Sequence, residues 1–202
     1  MEDKMKYIIP IIILSFVLLS CSKDEEEETQ TAAEKAAAAQ LVALEGTWKT
    51  ACSADSDNTS WIDTLTVAGN SITGKFEKHS DTSCATDYSL EEIPFTFSIG
   101  DAVTFSNGTG HKWTVTIGST YKLTPQSDSA VSAFNSGSGE CSKTDWVKDT
   151  EKECSTGSDE GKTLLCLYQL DGNTWYPKCD DNARPSTSDI DTSKAEGTFT
   201  KQ

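Results

Sequence analysis

Apolar and polar residues take turns along much of the chain. Ile93, Phe95, Phe97 and Ile99 alternate with Pro94, Thr96 and Ser98, and Trp113, Val115 and Ile117 alternate with Thr114 and Thr116. Leu65 and Val67 lead into Gly69-Asn70, and Ile72 and Phe76 lead out of it. A period of two is the mark of a strand with one buried face, because successive side chains point to opposite sides. The order hydrophobe-x-Gly-Asn-Ser/Thr-hydrophobe occurs twice, at 67–72 and 170–175. A Gly-Asn pair between such runs predicts a two-residue hairpin loop. No fixed longer period links these units, so this is repeated hairpin chemistry and not a solenoid. Short, one-faced, regularly spaced strands point to an antiparallel barrel or sandwich, not a parallel sheet with crossover helices.

Three stretches break the alternation. After Pro125, Ser127 is placed to cap a short helix over "SDSAVSAFN", with Asp128 in the first turn where the helix dipole favours an acid. Residues 126–160, which also hold a Gly/Ser-rich loop at 135–139 and Trp146, read as an insertion over one end of the β-structure. Ala-rich residues before Gly46 have high helix propensity. Residues 180–195, rich in Asp, Ser and Thr, read as loop, and "EGTFTKQ" reads as a closing strand.

Charge narrows the functional classes. The chain of 202 residues carries a formal net charge of −15. No basic patch exists to neutralise phosphates, which excludes nucleic acid as a partner and disfavours docking on anionic lipid headgroups. His79 and His111 have no Ser or Cys nucleophile pattern nearby and read as solvated strand-end residues. Paired acids in "SADSDN" (53–58) and "DIDTS" (189–193) resemble the start of a calcium loop, but neither continues to the required Gly and terminal Glu. No catalytic constellation, metal set or cofactor motif emerges, and a non-enzymatic role is expected.

Six cysteines follow residue 50: Cys52, Cys84, Cys141, Cys154, Cys166 and Cys179. An even number in an exported chain predicts disulfides. With Gly172-Asn173 as a two-residue loop, Cys166 and Cys179 fall opposite one another, close enough to bridge. Elimination and loop proximity then pair Cys141 with Cys154 and Cys52 with Cys84.

The seventh cysteine sets the expected address. Lys4 and Lys6 precede an apolar stretch from Tyr7 to Leu19, too short to span a membrane and suited to a secretory leader. Met1 and Met5 are both candidate starts, because "MKYIIP" is the more ordinary opening. "LLSC" at 18–21 resembles the bacterial lipobox. The resemblance implies cleavage before Cys21 and acylation of that cysteine, with multiple chains giving stable anchorage. Ser22, where the known inner-membrane retention signal has Asp, points to the outer membrane. The acid run of Asp24 and Glu25–Glu28 resembles tracts that favour surface display, and it also suits a plain solvated spacer. The expected organisation is a leader at 1–20, an acidic and Ala-rich tether at 21–44, and one β-domain at 45–202.

At "LEGTWKTAC" the pattern meets a family. Gly46-x-Trp48 at the head of the first strand, after a helical lead-in, resembles the GxW signature of lipocalins. That resemblance implies an up-and-down barrel in which Trp48 plugs the closed end while Gly46 permits close packing beneath it. In the family an arginine packs on the Trp; Arg184, the one arginine here, falls in an expected loop. Phe76, Phe95, Phe97, Phe105 and Trp113 are candidates to line a cavity. Two roles follow: an anchored barrel binding a small apolar ligand, or a surface interaction protein, adhesin-like, built on a solid barrel.

Overall fold

The computed structural model describes residues 32–190 and 197–202. The leader, Cys21, the acidic run and residues 191–193 of "DIDTS" lie outside the described residues. In chain order the elements are α1 (Ala32–Leu44), β1 (Gly46–Thr50), β2 (Ser53–Ala54), β3 (Ser60–Ala68), β4 (Ser71–His79), β5 (Asp87–Phe105), β6 (Gly108–Ile117) and β7 (Thr120–Pro125). There follow α2 (Asp128–Phe134), β8 (Lys152–Ser155), β9 (Thr163–Asp171), β10 (Thr174–Asp180) and β11 (Phe199–Lys201).

Eight of these strands close on themselves. The circuit β1–β3–β4–β5–β6–β9–β10–β11 returns to β1, each strand antiparallel to the next. This is an all-β, up-and-down barrel of the lipocalin-like kind. Both expected Gly-Asn loops form: Ala68 pairs with Ser71 and Asp171 with Thr174, leaving Gly69 and Gly172 at positive φ in the turns. The register sets Cys166 against Cys179, and all three expected disulfides are present, Cys52–Cys84, Cys141–Cys154 and Cys166–Cys179.

β5 is the organising strand. Its carboxyl half pairs with β6 from Phe95↔Ile117 onward, while its amino half pairs along the same edge with β7, from Glu92↔Lys122 to Ser89↔Pro125. β6 and β7 are thus successive segments of one run, broken at Gly118-Ser119, where β6 stays with the barrel and β7 leaves to pair with β8. The barrel wall therefore continues past its rim on one side only. The extension carries the insertion, which begins at Thr120, earlier than the expected 126.

A second small core holds the insertion together. Leu123, Trp146 and Cys154 are buried there, with Tyr121, Phe134 and Cys141 packed around them. Ser127 caps α2 as expected, its hydroxyl accepting from the Ala130 N–H at 3.1 Å. Asn135 then clasps Trp146 from both sides: its Oδ1 accepts from the Trp146 N–H at 2.7 Å and its Nδ2 donates to the Trp146 carbonyl at 3.0 Å.

The main core fills the barrel with aromatic rings. Trp48, Trp113, Tyr168 and Trp175 meet edge to face, with centroids 5.3–6.5 Å apart for the pairs in contact. Such geometry adds about 0.5–1.5 kcal/mol per pair beyond the area buried. One end is shut by α1. Leu44 is fully buried in the core and Leu41 packs against it, so the last turn of the Ala-rich segment belongs to the barrel as well as to the expected tether.

Candidate functional site

The closed end explains Gly46-x-Trp48. A helix ends with carbonyls that have no intrahelical donor. Here the Trp48 Nε1–H donates to the Leu44 carbonyl at 2.6 Å, and the Lys201 ammonium donates to the Ala43 carbonyl at 3.4 Å. The same ammonium lies 5.1 Å from the Trp48 ring centroid, a cation–π contact. Gly46, at φ +116°, lets this happen: a Cβ there would come within 3.1 Å of the Lys201 Cε. Trp48 and Gly46 thus dock α1 as a stopper, and the cation on the tryptophan is Lys201 from the last strand. Arg184 sits elsewhere, over the outside of the β6–β9 pair, donating to the Trp113 carbonyl at 2.6 Å and to the Cys166 carbonyl.

The opposite end is open and holds a cavity of about 210 Å³. Its wall is apolar, formed by Leu65, Phe76, Phe95, Trp113, Leu164 and Phe199 among others, with Cys179 of the internal disulfide also facing it. Three of the five expected lining residues are therefore in place: Phe76, Phe95 and Trp113. Phe97 is not among them, because it is core, packed on Trp113 with centroids 5.8 Å apart. Phe105 is excluded by register. Between Ile99 and Ala102 the β5–β6 pairing slips by one residue, so Phe105 faces the opposite side of the sheet from Trp113. A one-residue bulge inverts the alternation beyond it, and Phe105 covers Gly110 instead.

A second pocket, of about 320 Å³, adjoins the first at Phe95, which lines both. It lies where the extended wall meets the barrel rim and adds Glu91, Tyr121 and Asp159 to Phe95 and Ile117. On the other flank a more polar groove at the β1–β3 rim includes Trp61 and Asp63.

Two acids stand on the inner face at this rim. Asp63, Phe76 and Glu91 are register partners across β3, β4 and β5, in phase with the buried Val67 and Ile72 and the partly buried Phe95 deeper in the barrel. Burial pushes the Asp63 carboxyl above its usual range. Burial, then the nearby Glu140 carboxylate, does the same to Glu91, with Lys78 opposing. Among the described residues no hydrogen bond offsets the desolvation of either acid. The Lys78 ammonium is placed 5.0 Å from the Trp61 ring centroid and 5.6 Å from that of Tyr88. These residues were not legible as a site from composition, yet a signal existed: Asp63 and Glu91 occupy the inward phase shared by Leu65 and Val67 on β3 and by Ile93, Phe95 and Phe97 on β5.

The remaining candidates resolve into structure. Both histidines are buried, not solvated at strand ends as expected. His111 stacks on Tyr168 at 5.8 Å, and His79 lies 3.3 Å from Asp87 without hydrogen-bond geometry. The acids of "SADSDN" hold their own turn, Asp55 accepting from the Ser56 N–H at 2.6 Å and Asp57 from the Thr59 N–H at 3.0 Å. Among the described residues no group of three or more His, Cys, Asp or Glu is placed to hold a metal ion. Within the same residues no helix is long and apolar enough to cross a membrane.

The fold and its open end define a class, the lipocalin-like barrels with one stoppered and one accessible end. Comparison with known proteins found neither a family model nor a curated sequence that matches the chain.

Proposed function

We propose that the chain is a bacterial envelope lipoprotein, acylated at Cys21 and most simply placed at the outer membrane, whose barrel takes a small apolar ligand through its open mouth. The observation that supports ligand binding is the cavity lined by Phe76, Phe95 and Trp113, left unfilled in a barrel whose other half is packed with rings. At about 210 Å³ it falls below the roughly 300–1,000 Å³ of sites for drug-sized molecules. The adjoining pocket at Phe95 brings the combined space into that range. Affinity would come from apolar burial at about 25 cal/mol per Å², with rim groups fixing orientation.

Native mass spectrometry of the protein recovered from its producing cells tests both parts. The expected result is a discrete adduct lost on denaturation, together with a covalent mass on Cys21 that survives it. A bare barrel would favour the other role, a solid scaffold whose outer surface does the work. An unmodified Cys21 would remove the anchor.

A further inference from the structure

The rim says what kind of apolar ligand fits, and this inference rests on the ligand-binding reading above. Asp63 and Glu91 are the register partners of Phe76 on the inner face, one on each side of it, and Phe76 lines the apolar cavity. A half-buried carboxylate with no hydrogen bond or salt bridge is costly, and surrounding residues normally supply a partner. Here Asp63 opens on the β1–β3 groove and Glu91 on the pocket that adjoins the cavity at Phe95. Glu91 therefore faces space beside the cavity, while Asp63 faces a groove on the other flank that shares no lining residue with it.

Two further observations bear on the ligand. The rim already holds an alkylammonium against aromatic faces, because the Lys78 ammonium sits above Trp61 and Tyr88. At the cavity wall, Trp113 is 3% exposed, and its indole N–H is buried with no acceptor among the described residues. Around all of this, a net charge of −15 raises the local concentration of cations and lowers that of anions.

We propose that the ligand is an amphiphilic amine, its apolar body in the cavity walled by Phe76, Phe95 and Trp113 and its protonated amino group held beside Phe95 by Glu91, with Asp63 adding negative charge on the other side of Phe76. A fatty acid is disfavoured by the same geometry: its carboxylate would meet Glu91, which Glu140 reinforces and Lys78 opposes, with Asp63 across Phe76. A neutral apolar molecule would fill the cavity and leave both acids desolvated without compensation.

Three probes of equal chain length separate these cases: octylammonium, octanol and octanoate, titrated into the oxidised full chain at pH 7 and followed at the Trp113 indole N–H resonance. Octylammonium is expected to bind about tenfold tighter than octanol, the gain from one charge-assisted contact, with octanoate weakest. In Asp63→Asn/Glu91→Gln that preference collapses while octanol binding is retained, which also reports that the variant is folded. If octanol binds and octylammonium binds no tighter, the amine inference falls and the apolar-ligand reading stands. Tightest binding by octanoate overturns the inference in the same way. If none of the three shifts the Trp113 signal, both readings fall together.

Discussion

The two ends of the barrel are built from the same alternating strands and do opposite things with them. At the stoppered end the inward positions are rings, α1 lies across them, and the loose carbonyls of its last turn are met by the Trp48 indole and the Lys201 ammonium. At the open end the inward positions are Asp63, Phe76 and Glu91, and the acids have no hydrogen bond from the described residues and line two separate pockets. One end is optimised for stability. The other carries a cost that folding alone does not explain, and unmet desolvation of this kind concentrates where a protein binds something.

Replacing the centre of the packed end should cost most. Trp175 is fully buried and touches Trp48, Trp113, Tyr168 and Phe199. Trp175→Ala is expected to destabilise by about 3–5 kcal/mol, read as the midpoint of urea denaturation. A loss below about 1 kcal/mol would mean that the rings are not what holds this end.

Breaking the staple of the insertion should act more locally. Cys141–Cys154 closes a loop whose own core is small, while the barrel circuit does not pass through it. Cys141→Ala/Cys154→Ala is expected to loosen the insertion by about 2–4 kcal/mol. Hydrogen exchange should rise across β7, α2 and β8 and stay unchanged in β1 and β11. Equal loosening of both would erase the distinction between the two regions.

The smallest effect is the most diagnostic, because its sign is unusual. Burial holds the Asp63 and Glu91 carboxyls above their ordinary values of 3.8 and 4.5. Between those values and the raised folded ones, the native protein binds more protons than the unfolded chain. Stability therefore falls as pH rises through that window, and the cost is fully present above it. Asp63→Asn/Glu91→Gln should thus be more stable than the parent at pH 7, by no more than about 1 kcal/mol after solvent screening. The advantage should vanish at pH 3, where both forms are uncharged. Paired urea titrations at the two pH values decide it, and a variant less stable at pH 7 would show the acids to be structural.

Much of this was readable in advance, for particular reasons. The Gly-Asn loops fix register within a hairpin, so Cys166 opposite Cys179 follows from counting residues. Ser127 is a local capping signal and needs no tertiary knowledge. Lys201 on Trp48 could not be read, because it joins the first and last strands of the barrel, and no local pattern records which cation crosses that gap. Phe105 shares the odd phase of Phe95, Phe97 and Ile99, interrupted by Asp101, and the slipped pairing beside Gly100 turns it to the other face. The rim acids were visible as letters in the inward phase, but polarity at a strand end usually means solvent, so their meaning waited for the cavity.

The one-sided extension of the wall has a consequence for self-association. A closed barrel has no free edge, but β5 outruns β6, and its exposed backbone would template pairing with another chain. β7 and β8 cover that edge, and the sheet then ends on a strand of four residues that begins Lys-Glu, with the two-residue β2 at its other limit. Edges this short and, on one side, charged make poor templates for strand addition. The protein can therefore be crowded at high local density without its barrels zipping together into fibrils.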